Sequence, residues 1–205
     1  MADLSARSLI RQALQNHHPL ACNRPGLRSA GVLVPLLPQE RGLRILLIRR
    51  PTSMRTHAGQ IALPGGARDD DDADLAATAL REAHEEIGLD PERVEVLGQL
   101  DEVWTPSGFV MTPIVGWVEH PNELIPNATE VDELVTTSVE ELTAPGVFRE
   151  ELWDYQEKSH RMVFFDLAAG TVWGATSRIL FRFLQLGLGW NTELDRPWEA
   201  GPPTR

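Results

Sequence analysis

Alternation of apolar and polar stretches along the chain predicts a mixture of strands and helices. Two runs of aliphatic and β-branched residues, 29–37 (SAGVLVPLL) and 41–50 (RGLRILLIRR), are typical of buried strands, and a proline at 38 or 51 is expected to end each. Residues 51–66 show no periodicity and end in LPGG, which predicts a loop. Shorter apolar runs predict three further strands, over 94–100, 113–118 and 161–166.

Helical spacing of apolar residues predicts four helices. Over 74–87 the apolar positions fall on one face, Asp72 or Asp74 can cap the start, and Gly88 suits the left-handed residue that ends many helices. Two more helices are expected around 138–143 and 175–186. The first residues predict a short amphipathic helix with three buried positions, Leu4, Ile10 and Leu14.

These elements favour an α/β (α+β) fold in a single domain. The chain has 205 residues, of which 42% are hydrophobic and 24% charged, as in an ordinary globular protein. We divide it into an N-terminal helical extension (1–28), a main domain (29–190) and a C-terminal tail (191–205), whose end from 196 is expected to be frayed.

Composition also limits location and partners. Apolar runs long enough to span a membrane are absent from the sequence, and the lone Cys22 fits a reducing compartment, so we expect a cytoplasmic protein. The net charge of −11 argues against a nucleic-acid-binding surface. A homodimer is an alternative to a monomer. Arginines cluster over 41–55 and acids over 69–102, a pattern suited to holding an anion and a cation side by side.

The segment REAHEEIGL, residues 81–89, carries the strongest chemical signal. Glu82, Glu85 and Glu86 are spaced i, i+3 and i+4, which places their carboxylates on one side of a helix. A hard cation such as Mg²⁺ offsets the repulsion between them, and Arg81 can hold Glu85 by a charge-assisted hydrogen bond. Composition alone favours the simpler alternative, a solvated acidic helix face.

Together with the preceding PGG, this segment resembles the Nudix box, G-x5-E-x7-R-E-U-x-E-E-x-G-U, where U is aliphatic. The interval from Gly66 to Arg81 is one residue longer than usual, and aspartates at 69–72 and 74 stand where a glutamate is expected. Which aspartate substitutes for it is left open. The second half of the box matches at Arg81, Glu82, Ala83, Glu85, Glu86, Gly88 and Leu89.

An upstream pattern resembles the signature of coenzyme A diphosphatases, L-L-T-x-R-[SA]-x3-R-x3-G-x3-F-P-G-G. Its spacing is kept throughout, with Ile48, Pro51 and Leu63 differing in residue type. The segments 105–116 and 172–180 are also similar to these enzymes, so the resemblance covers most of 29–185. The matching positions are Leu46, Leu47, Arg50, Arg55, Gly59, Pro64, Gly65 and Gly66.

The resemblance implies a Nudix-type mixed sheet between helices, and hydrolysis of coenzyme A or a derivative to 3′,5′-ADP and 4′-phosphopantetheine. It implies Mg²⁺ or Mn²⁺ as cofactor, with Glu82 and Glu86 as principal metal ligands and Glu85 as a further ligand or general base. Arg81 completes the catalytic set. The implied substrate-binding residues are Arg50, Arg55, Gly65 and Gly66, since guanidinium groups bind phosphate and glycines admit a ligand close to the backbone.

Alternatives remain at this stage. A glutamate from a later loop, Glu130 or Glu133, is a second candidate for general base. ADP-ribose, NADH, another dinucleotide or a nucleoside triphosphate could replace coenzyme A as substrate, and a non-catalytic ligand-binding module of the same fold is the least favoured hypothesis. His57 is expected to be a hydrogen-bonded structural residue. Four tryptophans are expected to pack rather than stack on adenine: Trp104, Trp117, Trp153 and Trp173.

Overall fold

The computed structural model describes residues 2–40, 42–54, 56–121, 123–155 and 158–191, and these ranges contain four α-helices and eleven β-strands. The helices are α1 (Ala2–Asn16), α2 (Leu75–Ile87), α3 (Val139–Leu142) and α4 (Ala175–Leu188). A large mixed sheet comprises β1 (Arg28–Gln39), β2 (Gly42–Arg49), β3 (Ile61–Ala62), β4 (Gly65–Ala67), β5 (Glu95–Gln99), β6 (Val103–Thr105), β7 (Phe109–Trp117) and β8 (Glu133–Ser138). A second, antiparallel sheet comprises β9 (Phe148–Tyr155), β10 (Lys158–Leu167) and β11 (Gly170–Val172).

Strand β1 lies at the centre of the large sheet. It pairs parallel with β7 and antiparallel with β2 and β4. One face of the sheet packs on α1, α4 and the second sheet, while the opposite face packs on α2. Burial on both faces explains why β1 is a nearly continuous apolar run rather than an alternating one. A mixed sheet between helices is the expected fold.

Several strand boundaries differ from those predicted. Strand β1 continues through Pro38 to Gln39. Beyond Leu36 it pairs with β2 alone, so its other side has no neighbouring strand that would need a hydrogen bond from the backbone N–H that proline lacks. The region 51–66, predicted as loop, includes β3 and β4, which are too short to show a periodicity. Strands β6, β8, β9 and β11 were not predicted; three of them have six residues or fewer, and β9 (FREELWDY) is half charged.

Helix α1 packs into the hydrophobic core on one face of the large sheet. Its residues Ile10 and Leu14 are buried as predicted, and Gly98 in β5 leaves room for Leu14, which a Cβ at that position would contact at 2.7 Å. The side chain of Leu4 lies outside the described residues. Asp101 connects the end of α1 to α4, since its carboxylate bonds both His17 and Arg182.

The division into residues 1–28, 29–190 and 191–205 stays a prediction, and the tail beyond 191 lies outside the described residues. Within the described ranges, every helix is too short or too polar to cross a membrane.

Candidate active site

Helix α2 places the acidic segment against β1 and β4. Asp74 caps its start by accepting a hydrogen bond from Ala77 N at 2.8 Å, and Gly88 ends it at φ +66°, both as predicted. The helix approaches the sheet closely because Gly31 in β1 has no side chain: a Cβ there would overlap the backbone of α2, 2.7 Å from Ala79 N. The sheet therefore fixes the helix face that presents the glutamates.

Arg81 organises the acidic side chains around it. Its Nε and one terminal nitrogen each donate to Asp72 at 3.0 Å, and the same terminal nitrogen donates to the carbonyl of Ala67 at 3.0 Å. The other terminal nitrogen donates to Glu82 at 2.9 Å and Glu85 at 3.0 Å. A guanidinium has five N–H donors, and these five bonds engage all of them. Arg81 thus positions neighbouring groups and has no donor left for a substrate.

Asp72 is the aspartate that pairs with Arg81 in the lengthened acidic loop. It is buried and also accepts hydrogen bonds from Thr78 Oγ1 and Asp69 N, both at 2.9 Å. The hydrogen bond from Arg81 is the main reason that the pKa of Asp72 lies well below its usual range, although burial opposes it. The sequence offered Asp72 as a candidate helix cap and as one of several aspartates that could stand for the glutamate of the box. Its pairing with Arg81, nine residues later, depends on how the loop folds back.

Glu86 is the most deeply placed of the three glutamates, with 2% of its surface exposed. Gly65 N donates to its Oε2 at 3.0 Å, and Arg50 lies 4.0 Å from its Oε1. Burial raises the pKa of Glu86 to about 7; the Gly65 hydrogen bond and Arg50 oppose this shift, while the charges of Glu82 and Glu130 add to it. At neutral pH, the hydrogen bond from Gly65 and the charge of Arg50 therefore do not fully offset the cost of burying a charged Glu86 carboxylate.

Glu82 faces the glycine pair of β4. A Cβ at Gly66 would overlap its carboxylate, so glycine at this position leaves room for that carboxylate. Burial raises the pKa of Glu82, against the hydrogen bond from Arg81. Two desolvated, incompletely neutralised carboxylates that both lie against β4 form the kind of oxygen donor set that a hard divalent cation prefers. The residues present therefore fit a metal ion.

Glu85 is the most exposed of the three glutamates. Its side chain is 53% exposed and bonds Arg81. Across the described ranges, no three His, Cys, Asp or Glu side chains converge closely enough to hold a metal ion together. Of the three carboxylates that the sequence places on one side of α2, Glu86 is buried against β4, whereas Glu82 and Glu85 share one terminal nitrogen of Arg81.

The remaining candidates for substrate binding lie around β3 and β4. Arg50 is beside Glu86, and its Nε is buried without a hydrogen-bond partner. Gly65 has φ +154°, and a Cβ there would lie 2.7 Å from Val32 Cα, so only glycine fits without moving β1. Arg55 lies outside the described residues.

Two later glutamates were candidates for the general base, and the structure separates them. Glu133 is bound to Arg49 at 2.8 Å. Glu130 instead lies in a turn fixed to α2, because Asn127 N donates to Glu86 O at 2.8 Å and Glu130 N donates to Asn127 O at 2.9 Å. The charge of Glu130 raises the pKa of both Glu82 and Glu86, so it acts on the site where those two lie.

The aromatic residues and His57 were expected to have structural contacts. His57 Nδ1 is hydrogen-bonded to Gln60 at 2.8 Å. Trp117 is buried, and Trp104 lies beneath the guanidinium of Arg24, 4.1 Å from the ring centre. Trp153 and Trp173, each about two-fifths exposed, contact each other at the surface of the second sheet.

Comparisons with known proteins identify the family of this chain. Residues 27–161 match the NUDIX domain model. The uncharacterized Nudix hydrolase NudL of Pectobacterium atrosepticum is 39% identical over 153 residues, which cover 75% of this chain and 79% of that protein. Nudix hydrolase 22, chloroplastic, of Arabidopsis thaliana is 35% identical over 162 residues, covering 76% of this chain and 54% of that protein. A solved MutT/nudix family protein from Enterococcus faecalis, 19% identical, has a TM-score of 0.51 over 85% of this chain and 66% of its own, and supports the fold alone.

Proposed function

We propose an activity for this chain from its family: it belongs to the Nudix hydrolases. The proposed reaction is cleavage of the diphosphate of coenzyme A or a derivative to 3′,5′-ADP and 4′-phosphopantetheine. Membership of the family makes the protein a Nudix pyrophosphohydrolase. The choice of coenzyme A among diphosphate substrates rests on the signature over 46–66 and on where its residues lie.

The position of Arg50 carries the proposal. This arginine belongs to the upstream signature, yet its guanidinium lies 4.0 Å from Glu86 on α2. The signature and the acidic helix therefore form one site. Coenzyme A carries a 3′-phosphate besides its diphosphate, so its binding needs cationic groups beyond those that neutralise the diphosphate. Arg50, together with Arg55 by its place in the signature, would supply them.

The three departures from the signature lie at buried positions. Ile48 and Leu63 are buried in the core, and Pro51 is buried at the end of β2. All three side chains are therefore buried and uncharged in this chain. The departures therefore leave the charged groups and the glycine backbone of the site unchanged.

In this proposal, Glu82 and Glu86 hold the divalent cation, Mg²⁺ or Mn²⁺. Gly65 and Gly66 give β1 and the Glu82 carboxylate the room that side chains would take. When bound, such a cation neutralises charge on the phosphates and lowers the pKa of a coordinated water. Arg81 acts by positioning: it anchors Glu82 and Glu85 to Asp72 and to β4. Arg50 binds a substrate phosphate.

Glu85 and Glu130 are the two candidates for the general base, and we favour Glu130. The carboxylate of Glu85 is hydrogen-bonded to a guanidinium, which weakens a carboxylate as a proton acceptor. Glu130 lies in a turn whose backbone is bonded to α2, and its charge raises the pKa of both Glu82 and Glu86. Glu130→Gln should lower kcat by about 100-fold with little change in KM, whereas Glu133→Gln, the control, should stay near wild type. A full loss in Glu85→Gln with an active Glu130→Gln would reverse the assignment.

A comparative turnover assay tests the substrate. The purified protein is incubated with coenzyme A, acetyl-coenzyme A, ADP-ribose and NADH, each with Mg²⁺ or Mn²⁺, and kcat/KM is measured for every pair. We expect the highest value for coenzyme A or its acetyl form. Cleavage of ADP-ribose or NADH alone would keep the family assignment and reject the coenzyme A proposal.

A further inference from the structure

His57 has an unusual backbone conformation in a loop that borders the active site. Residues 51–59 leave β2 and return to the same point, because Arg50 N donates to Gln60 O at 2.9 Å and Gly59 N donates to Arg50 O at 3.1 Å. The base of the loop is therefore Arg50, which lies beside Glu86. The loop that carries His57 is therefore anchored at a residue of the candidate active site.

Among the described residues, His57 is the one non-glycine residue with a positive φ, +58°. A left-handed backbone is unfavourable for a residue with a Cβ, and glycine would adopt it without this cost. The same loop uses glycine two residues later, where Gly59 has φ +68°. Packing does not explain the histidine, because its side chain is exposed. Strained residues of this kind are concentrated at binding and catalytic sites.

The imidazole is fixed in orientation through one of its two nitrogens. Nδ1 is hydrogen-bonded to Gln60 Oε1 at 2.8 Å, and Gln60 is the residue that closes the loop onto Arg50. In the described part of the chain Nε2 has no hydrogen-bond partner, so it is available to a ligand. A histidine held in this way presents one nitrogen outwards in a defined direction.

We propose that His57 is a substrate-binding residue that contacts a phosphate group of the substrate through Nε2. The proposal rests on the proposed function, since it takes a nucleoside diphosphate derivative as the ligand. His57 would act with Arg50 on the same substrate: the arginine binds beside Glu86 at the base of the loop, and the histidine binds from the loop itself. Its effect is on substrate affinity and not on the chemical step.

The test compares His57→Gly and His57→Asn with wild type. Thr56→Ala, at an exposed neighbouring residue, serves as the control. Glycine relieves the backbone cost, and asparagine tolerates the left-handed conformation but places no nitrogen where Nε2 lies. We expect both His57 variants to raise KM at least fivefold with kcat within twofold of wild type. The melting temperature of His57→Gly should be equal to or above that of wild type, and Thr56→Ala should be unchanged throughout.

KM values of both His57 variants within twofold of wild type would overturn the inference and leave His57 as a turn residue. A raised KM in Thr56→Ala as well would also overturn it, because the effect would then belong to the loop in general. KM is measured on whichever substrate of the turnover assay wild type cleaves. If that substrate is ADP-ribose, the coenzyme A proposal fails while the result for His57 still stands or falls by its own KM.

Discussion

At the scale of single residues, the adjacent glycines Gly65 and Gly66 are needed for different reasons. A side chain at Gly65 would meet the backbone of β1, which cannot move without disturbing the sheet, and φ +154° is itself unfavourable for other residues. The three atoms nearest to a Cβ at Gly66 all belong to the carboxylate of Glu82, the end of a flexible side chain. The first glycine is required for folding and the second for the position of a candidate metal ligand.

Gly66→Ala should therefore weaken metal binding while the protein stays folded. Displacing the Glu82 carboxylate should reduce affinity for Mn²⁺ by about 10-fold or more, the usual effect of disturbing the support of a metal ligand. The free energy of unfolding without metal should change by less than about 0.5 kcal/mol. Titration calorimetry with Mn²⁺ and urea unfolding measure the two quantities. Wild-type Mn²⁺ affinity in Gly66→Ala would show that Glu82 does not ligate the ion from this position.

Asp72 should contribute stability that depends on pH. Its pKa is lower in the folded protein than in the unfolded chain, so the folded state binds this proton less readily. The contribution is present above about pH 4, the ordinary pKa of aspartate, and is lost as the pH falls towards the folded-state pKa. Asp72→Asn breaks a buried pair with Arg81 and should cost about 3–5 kcal/mol near pH 7.

Urea unfolding of Asp72→Asn and wild type at pH 7 and in steps below pH 4 checks this prediction. The difference in free energy of unfolding should shrink as the pH falls. Asp71→Asn is the matched control, because Asp71 is the exposed neighbour in the same loop. An equal loss of stability in both variants, or a difference independent of pH, would contradict the assigned pairing.

At the scale of elements, α1 is an integral part of the domain core. Ile10 is fully buried between the large sheet and α4, whereas its neighbour Leu9 is 63% exposed. Ile10→Ala should therefore lower the free energy of unfolding by about 2–5 kcal/mol, and Leu9→Ala should change it by less than about 0.5 kcal/mol. Urea unfolding of the two variants makes the comparison within one helix.

If Ile10→Ala were as stable as Leu9→Ala, α1 would be a dispensable extension, as the division at residue 28 implies. The contact of α1 through His17 and Asp101 with Arg182 points the other way, because it joins the end of α1 to the helix on which it packs.

At the scale of the whole molecule, most long elements could be predicted and the shortest strands could not; the eight-residue β9, half of it charged, is the exception among the long ones. Helix α2 was predicted within one residue, because its apolar period, its cap and Gly88 all agree. Strands β1, β2 and β7 could be recognised from runs of aliphatic residues, since both faces of the large sheet are covered. Strands of two or three residues, such as β3 and β4, take their form from the neighbours with which they pair and carry no period of their own.

The acidic site, too, could be predicted from the sequence only in part. The residue types and spacing of Glu82, Glu85 and Glu86 were evident from the sequence, as was the bond from Arg81 to Glu85. The burial of Glu86, the pairing of Asp72 with Arg81 and the position of Glu130 depend on loops that fold back from elsewhere in the chain. Local sequence patterns hold no information on such contacts.

The most direct test of the account is to identify the products formed from coenzyme A by wild type and by Glu86→Gln. Glutamine keeps an oxygen that can accept the hydrogen bond from Gly65 N and removes an incompletely compensated buried charge, so the variant should stay folded. With Mg²⁺ or Mn²⁺, mass spectrometry should detect 3′,5′-ADP and 4′-phosphopantetheine from wild type, and at least about 100-fold less from the variant. An intact coenzyme A pool with wild type, or equal product from Glu86→Gln, would contradict the central claim.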